Sequence, residues 1–405
     1  MGLLTLSGAW HLSSQIVPGT KAAVWCHVTR VGVRPLRVVD SAAMDDVDGL
    51  WALVSGVLLL AMAAGMGAVI EGFTRRRSVS TGSGRHLVAA AGAVVGVFAT
   101  AATVPALVPD RTGETGGIWL VIGSSVVLAI IVSGGIVERG TFLAHAAVGV
   151  VAGGVVVPVA DWARDPGGVL DSIAVSGVTF SDAAAATLFS VAGWMALVGI
   201  MVIGPRRGRL GADGTVRSIP GKSMPAAAIG AVLVFAAAVG AIGRTGDGWS
   251  AAILEAAEHI AIAGAAGVVV GWVFGRGRFG ASSTGSLIQG GLAGLVSSMG
   301  APFDLTEVRA LVLGAIGAAL SLLAIEVLNR LKVDDPVGVV SIFGVGGLWG
   351  TLASGTSADG VVAQLIGSLI VAAWSIVCAG VIFGLLRAAR VLRISPEVEV
   401  VGLEH

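Results

Sequence analysis

The chain has 405 residues, a mean hydropathy of +0.92, 55% hydrophobic residues and only 12% charged residues. Soluble domains carry about twice that share of charge, so the composition excludes a soluble globular protein and indicates a polytopic membrane protein. The 25 basic and 25 acidic side chains cancel, so the sequence has no basic footprint for nucleic acid, and we predict no nucleic-acid partner.

Residues 1–45 differ in composition from the rest of the chain. They include Pro18, Lys21 and several arginines, and they lack the apolar core and small-residue cleavage site of a signal peptide. We expect a poorly structured N-terminal extension. It is either an outer tail or the product of an over-extended gene start, with Met44 rather than Met1 as the true first residue.

Eleven apolar runs follow, each long enough to cross a bilayer, which takes about 20 residues. They lie at 48–71, 86–108, 117–136, 141–160, 182–204, 224–243, 249–274, 284–300, 307–329, 336–354 and 359–386. We therefore predict an all-α transmembrane domain over 46–388, embedded in a lipid bilayer, and a short cytosolic C-terminal tail over 389–405.

The basic residues divide unequally between the two sets of loops. With alternating sides, one set together with the C-terminal tail holds 17 Lys or Arg, and the other set holds four. Because cytosolic loops of membrane proteins are enriched in Lys and Arg, this asymmetry predicts an N-terminus outside and a C-terminus inside a plasma membrane.

The sequence gives no indication of an enzyme. It contains no catalytic triad and no phosphate-binding loop in a strand–turn–helix context. Its two cysteines, Cys26 and Cys378, lie on different predicted elements and imply neither a disulfide framework nor a metal cluster. We predict no catalytic residues, no cofactor and no metal.

The most distinctive stretch is 334–355, DDPVGVVSIFGVGGLWGTLASG. Asp334, Asp335 and Pro336 open it at a predicted cytosolic helix start, where carboxylates suit the helix dipole and proline fits the first turn. Its glycines allow close helix packing in lipid. The pattern resembles the tenth membrane helix of the ammonium transporter (Amt/Rh) family, which begins DDP and ends GxWGTLxxG.

Other segments resemble the same family in the same order. ALVGIMVIGPRRGRL at 196–210 is similar to the family's ALVxxxVLGPRxGR, and matches at 285–302 and 392–405 extend the resemblance over roughly 46–405. The resemblance implies two inverted five-helix repeats plus a C-terminal helix, a homotrimer with one pore per protomer, and a possible cytosolic PII-type signalling protein as partner.

The resemblance implies a channel or transporter for ammonium, ammonia or another small solute. Family pores carry two histidines at mid-membrane, yet those positions fall here on Phe189, or on Ser190 with a different anchor, and on Phe343. Either the phenylalanines plug the pore, or they form a dry constriction that passes a neutral solute. The alternative function is a weakly conducting or non-conducting ammonium sensor of the same fold.

The family's outer vestibule is altered as well. Its aromatic gate, which can hold a cation by cation–π attraction, maps to Leu120 or Trp119 and to Ala241, and its serine maps to Thr245. The family's vestibule tryptophan maps near Trp162 or Arg164, although Trp162 is also placed as an ordinary interfacial anchor would be.

Asp182 begins DAAAAT and resembles the family's buried aspartate, which orients the outer pore without binding the solute. Thr187 also matches that motif. The alternative interpretation is an ordinary helix N-cap, a role that aspartate fills well.

The predicted span 249–274 contains an unusual polar cluster, Glu255, Glu258 and His259, at spacings of three and four residues. Intramembrane ionisable groups are candidates for function and usually pair with one another. We expect Glu258 and His259 near mid-span, facing protein and paired. They would act either as a proton relay or solute site, or as structural glue between helices or protomers. His145 we interpret as a packing histidine.

Overall fold

The computed structural model describes residues 13–16, 23–29, 32–38, 41–75, 79–107, 117–165, 167–211, 213–245, 250–300 and 302–401. Within these ranges it has twelve helices, α1–α12. In chain order they are α1 Ser41–Phe73, α2 Val79–Thr103, α3 Gly117–Ile136, α4 Phe142–Arg164, α5 Ala185–Ile203, α6 Met224–Ala237, α7 Ala252–Phe279, α8 Thr284–Ser298, α9 Glu307–Arg330, α10 Val340–Ser354, α11 Ala358–Ala388 and α12 Pro396–Val401.

The helices confirm the predicted all-helical membrane architecture. In the described part of the chain, nine helices are long and apolar enough to cross a membrane. The shorter helices α8 and α10 occupy the predicted spans 284–300 and 336–354, so each of the eleven predicted spans contains one of α1–α11. Helix α6 continues as a 3-10 helix over Ala238–Thr245.

Five short strands accompany the helices in the described ranges. β1 (Ser13–Ile16), β2 (Ala23–Thr29) and β3 (Gly32–Val38) pair as an antiparallel sheet within the predicted N-terminal extension. β4 (Ala174–Val175) and β5 (Val178–Thr179) form a hairpin in the α4–α5 loop. Helix α1 begins at Ser41, inside the predicted extension, and the domain boundary near residue 45 stays a prediction.

The helices pack through small residues. α1 packs against α3 and α6, α2 against α4, α7 against α8 and α9, and α11 against α5. A Cβ built on Gly267 of α7 would lie 2.2 Å from the carbonyl oxygen of Gly290 in α8. Only glycine allows these two backbones to approach so closely. Such close backbone packing is how helices associate in lipid, where the hydrophobic effect does not drive them together.

One end of the bundle carries a buried ion network, and we call it the ion-paired end. The Arg206 side chain, after α5, donates to both carboxylate oxygens of Asp334 at 2.9 and 3.0 Å and to Glu138 at 3.1 Å. Arg139 donates to Asp334 at 2.9 Å, and the Nε atom of Arg75 lies 3.1 Å from Glu138. The loops after α1, α3 and α5 are thereby tied to the start of α10.

The network determines the ionisation of its members. Burial alone would raise the pKa of Asp334, but hydrogen bonds from Arg206 and the charges of Arg206 and Arg139 outweigh it and lower the pKa to about 2. Burial lowers the pKa of Arg139 to about 10, although Asp334 opposes this. Asp334 is therefore a carboxylate and Arg139 a cation at neutral pH.

The C-terminal tail packs on this same end. Ile394 donates its backbone N–H to the carbonyl of Arg139 at 2.9 Å, and Arg393 donates to the carbonyl of Ile203 at 2.9 Å. Glu399 of α12 accepts from Arg393 at 2.8 Å and from the backbone N–H of Arg207 at 2.7 Å. The segment after α11 thus covers the ends of α3 and α5.

Candidate functional site

Helices α5 and α10 begin with the same irregularity at opposite ends of the bundle. The first turns of α5, Ala185–Ser190, and of α10, Val340–Val345, are π-helical. Such turns are rare, and they occur frequently at functional sites because they offset the side chains of a helix from the regular register. Each turn carries one of the two phenylalanines that the sequence resemblance predicts for the pore centre.

Asp182 caps the start of α5. Its carboxylate accepts hydrogen bonds from the backbone N–H groups of Ala186 at 2.9 Å and Thr187 at 3.0 Å, and from the Thr187 hydroxyl at 2.7 Å. The side chain is 7% exposed. This geometry is that of a buried N-cap, and it is also the geometry by which an aspartate would orient the helix start.

Asp335 has the corresponding position before α10. Its carboxylate accepts from the N–H groups of Gly338 and Val339, each at 3.0 Å, and of Val340 at 2.8 Å. Burial raises the pKa of Asp335, although these three hydrogen bonds oppose the shift. Asp334 and Asp335 therefore have different roles at the helix start. Asp334 pairs with the arginines of the ion network, and Asp335 caps the helix.

The side chains of Phe189 and Phe343 meet where the two π-helical turns face each other. Their ring centroids are 5.8 Å apart with an interplanar angle of 27°, within the range of stacked aromatic pairs. Both residues are buried, and the hydroxyl of Ser190 donates to the carbonyl of Gly344 at 3.3 Å. The two helices that carry the predicted pore centre are thus in direct contact.

Glycines allow this contact. A Cβ on Gly193 would lie 2.1 Å from the backbone nitrogen of Gly344, and a Cβ on Gly347 would lie 2.5 Å from the carbonyl oxygen of Ala185. Any larger residue would push α5 and α10 apart and separate the two rings. The glycines of the 334–355 stretch therefore act at this helix crossing.

The predicted outer-vestibule residues lie on three elements. Trp119, near the start of α3, is 39% exposed, whereas Leu120 is half-buried and packs near Gly243. Ala241 is fully buried in the 3-10 segment that follows α6. The side chain of Thr245 lies outside those that the structure describes.

Trp162 is 44% exposed near the end of α4, as an interfacial residue would be. Two residues later, Arg164 donates to the carbonyl of Ala183 at 2.9 Å. This hydrogen bond ties the end of α4 to the segment that carries Asp182.

The predicted polar cluster is split by the structure. His259 is buried and its Nδ1 atom lies 2.9 Å from the carbonyl oxygen of Pro302, whereas Glu255 and Glu258 are exposed on the protomer surface. The expectation that Glu258 faces protein within the protomer is wrong, because neighbouring residues of a helix point about 100° apart. The mid-span placement is wrong as well, since α7 begins at Ala252 and the cluster occupies its first two turns.

A second group of buried polar side chains was not singled out from the sequence. His86 and His145 both lie within hydrogen-bonding distance of the Ser133 hydroxyl, at 3.1 and 2.5 Å, and His86 lies beside Glu71. From the sequence, His145 is predicted only to pack, because it stands alone in its helix. Glu71 and His86 fall at the ends of predicted spans, where the sequence does not distinguish buried groups from interfacial ones.

Comparison with known proteins gives a consistent result. A profile described as "Ammonium Transporter Family" matches residues 96–405. "Ammonium transporter Amt1" of Haloferax mediterranei is 31% identical, covering 91% of this chain and 80% of the relative, and "Ammonium transporter Amt2" of Archaeoglobus fulgidus is 27% identical, covering 88% and 86%.

Solved structures show the same fold. The structure named "Sensor Amt Protein" superposes with a TM-score of 0.82 at 24% identity, covering 90% of this chain and 98% of that one. Saccharomyces cerevisiae Mep2 superposes with a TM-score of 0.73 at 18% identity, covering 87% and 88%.

Proposed function

The chain belongs to the ammonium transporter family, and we propose that it carries ammonia between α5 and α10, by a path that lacks the family's pair of pore histidines. The supporting observation is the stacked pair Phe189 and Phe343. These residues stand on matching π-helical turns of the two helices, at the positions where the sequence resemblance puts the histidines.

An apolar constriction favours a neutral solute. A bare ammonium ion at mid-membrane would cost several kcal/mol without polar groups to replace its water. Imidazoles could exchange its proton near neutral pH, but phenylalanine rings cannot. The protein would therefore pass ammonia after the proton is lost outside the constriction, and the rings must separate transiently to let it through.

The outer vestibule supports the same preference. In the proposed alignment the family's aromatic cation gate is replaced by half-buried Leu120 and fully buried Ala241. Aliphatic side chains have no π face with which to hold a cation. Trp119 and Trp162 are exposed enough to act at the membrane interface instead.

A sensor is the second candidate function. The observation that favours it is the closure of the α5–α10 contact by the two rings, together with the tail packed on the ion-paired end. One structure of this fold carries the name "Sensor Amt Protein". A sensor would bind solute and alter the tail without measurable flux.

For the assembly we propose a homotrimer in the plasma membrane, with the ion-paired end in the cytosol. The excess of basic residues in the loops on that side supports this orientation. A PII-type signalling protein would then contact the ion-paired end. Co-purification of such a protein with the full chain, and its release by competing loop peptides, would test that partner.

Flux measurements test the proposed function directly. Purified protein in liposomes loaded with a pH-sensitive dye should give ammonia entry faster than empty liposomes, without a matching ammonium current on a supported membrane. Methylammonium and a neutral solute such as urea serve as comparisons. Rates equal to those of empty liposomes would reject transport in favour of the sensor, and a current proportional to ammonium would reject the neutral-solute path.

A further inference from the structure

Four polar side chains form a chain across the first four helices. Glu71 of α1 lies 3.5 Å from Nε2 of His86 in α2, and Nδ1 of His86 lies 3.1 Å from the Ser133 hydroxyl in α3. Ser133 in turn lies 2.5 Å from Nδ1 of His145 in α4. All four helices contribute one member, so the chain is a tertiary feature rather than a local motif.

The hydrogen bonds along this chain can all point in the same donor-to-acceptor direction. If Nδ1 of His145 donates to Ser133 and Ser133 donates to His86, Nε2 of His86 carries a proton toward Glu71, which is then ionised. If the direction is reversed, Glu71 must carry the proton itself. A cation beside Glu71 favours the first arrangement.

Glu71 has unused hydrogen-bonding capacity. Both of its carboxylate oxygens are inaccessible to solvent and accept no hydrogen bond within the described chain, and Nε2 of His86 makes none either. A buried carboxylate without hydrogen-bond donors is costly. Glu71 therefore has acceptor capacity for N–H groups that the described chain does not use.

The cavity that Glu71 and His86 face has two chemically different ends. It has a volume of about 630 Å³, which is typical of small-molecule sites. Polar groups lie at the ion-paired end, where Ser83 and Lys222 join Glu71 and His86. The remainder is apolar and extends to Leu60, about 16 Å along α1 at about 1.5 Å per residue. Its lining there includes Leu60, Ala64, Val126 and Ile130.

The charged groups around Glu71 leave room for a cationic ligand. Lys222, in the loop before α6, lines the cavity but is exposed and makes no ion pair with Glu71 in the described chain. Lys222 acts on Glu71 through its field, as do Arg85 of α2 and Glu138 after α3, and the field of Glu138 has the opposite sign to that of the two cations. None of these groups donates a hydrogen bond to the carboxylate.

We propose that this cavity is a cation site, which binds a primary alkylammonium ion with its charged head at Glu71 and its aliphatic chain toward Leu60. An ammonium head supplies three N–H donors, enough for the two carboxylate oxygens of Glu71, which accept no hydrogen bond within the described chain. The lining belongs to α1, α2, α3, α6 and the loop before α6, and includes no residue of α5 or α10. The site is therefore separate from the proposed ammonia path.

Calorimetric titration of the full chain in phosphatidylcholine nanodiscs tests the site without any flux measurement. Methyl-, butyl- and hexylammonium chloride should bind saturably, with affinity rising by up to about fourfold per added methylene as more of the apolar lining is covered. Glu71→Gln should weaken butylammonium binding by about tenfold or more, because the counter-ion is lost.

Two further variants separate loss of the site from loss of the fold. Ala64→Leu fills the apolar part of the cavity without changing a charge, and it should weaken hexylammonium more than methylammonium. Glu258→Gln removes an exposed carboxylate on α7, outside the cavity, and should leave every affinity unchanged. Nanodiscs carrying Glu71→Gln also measure how much amine partitions into the lipid.

Several outcomes would overturn the proposal. They are equal affinities for the wild type and Glu71→Gln, a phosphatidylethanolamine molecule retained in the cavity in native mass spectrometry, or a second protomer found by cross-linking to cover Ala64. Failure of ammonia flux would leave the proposal unaffected, because alkylammonium binding does not require the α5–α10 path to conduct.

Discussion

The ring of Phe189 stacks on the ring of Phe343, with centroids 5.8 Å apart, although 154 positions separate the two residues in the chain. Each ring comes from the first turn of a different helix, and each is buried. The proposed path between α5 and α10 therefore has an aromatic closure made equally by both helices. Because each helix supplies one ring, a substitution in either helix tests the closure.

Replacing both Phe189 and Phe343 with alanine should open the closure and raise ammonia entry into liposomes. Each single change should cost about 3–5 kcal/mol of stability, as for other core phenylalanines. The pair should show a coupling of about 0.5–1.5 kcal/mol in a double-mutant cycle, because the stacked contact is lost only once.

Phe383→Ala provides the matched control for that experiment. Phe383 is also fully buried, but it lies in α11 against Gly199 rather than at the α5–α10 contact. The Phe383→Ala variant should lose a similar amount of stability without any gain in ammonia entry. A gain in the Phe383 variant would mean that general loosening, and not the aromatic closure, controls entry.

The pH dependence of stability should report on Asp334. Its pKa is about 2 in the folded chain against an ordinary value of 3.8. Because the folded pKa is depressed, the stabilisation of about 2 kcal/mol is present above pH 3.8 and is lost as the pH falls through 2. Thermal unfolding in detergent should show this loss as a falling difference between the wild type and Asp334→Asn.

At pH 7, Asp334→Asn should cost about 3–5 kcal/mol, because it removes the carboxylate that pairs with buried Arg139 and one of the two that pair with buried Arg206. Asp213→Asn is the control, since Asp213 is an exposed carboxylate in the loop after α5. A constant difference between the wild type and Asp334→Asn from pH 7 to pH 2 would contradict the assignment of Asp334 as the titrating group.

The split polar cluster of α7 predicts different effects for its members. His259→Leu should lower stability by about 1–3 kcal/mol, since the buried carbonyl of Pro302 loses its hydrogen-bond partner. Glu258→Gln should change stability by less than about 0.5 kcal/mol, because the side chain is exposed in the protomer. Thermal unfolding measures both changes.

A transport assay completes the test of this cluster. Glu258→Gln should leave any pH dependence of ammonia entry unchanged, because the relay once expected between Glu258 and His259 is not formed within the protomer. Abolished pH dependence in this variant would restore the relay hypothesis and would place Glu258 in a contact between protomers.

Membrane orientation and assembly can be tested with single cysteines in a chain that lacks Cys26 and Cys378. Ser218 and Thr179 are exposed in loops that precede α6 and α5. An impermeant maleimide should label Thr179→Cys in intact cells and Ser218→Cys only after permeabilisation. The reverse pattern would contradict the proposed cytosolic ion-paired end. In native mass spectrometry, a monomeric mass would contradict the homotrimer.

The class of this protein and the positions of its membrane helices could be predicted from its sequence alone. Apolar runs of sufficient length are expected to form helices in lipid, because a helix is the conformation in which a single segment satisfies all its own backbone hydrogen bonds. The DDP motif likewise predicted a helix start, and Arg206 directly follows the predicted span 182–204 and Pro205. The tertiary structure then showed that they meet, since Arg206 pairs with Asp334 across 128 positions.

The rotation of each helix about its own axis could not be predicted in the same way. Helix α3 is apolar on almost every side and is buried from Val121 to Ile136. It therefore lacks a polar face from which its inward-facing side could be predicted. The chain from Glu71 through His86 and Ser133 to His145 depends on four such rotations. Glycine contacts between backbones set these rotations, and only the packed structure contains them.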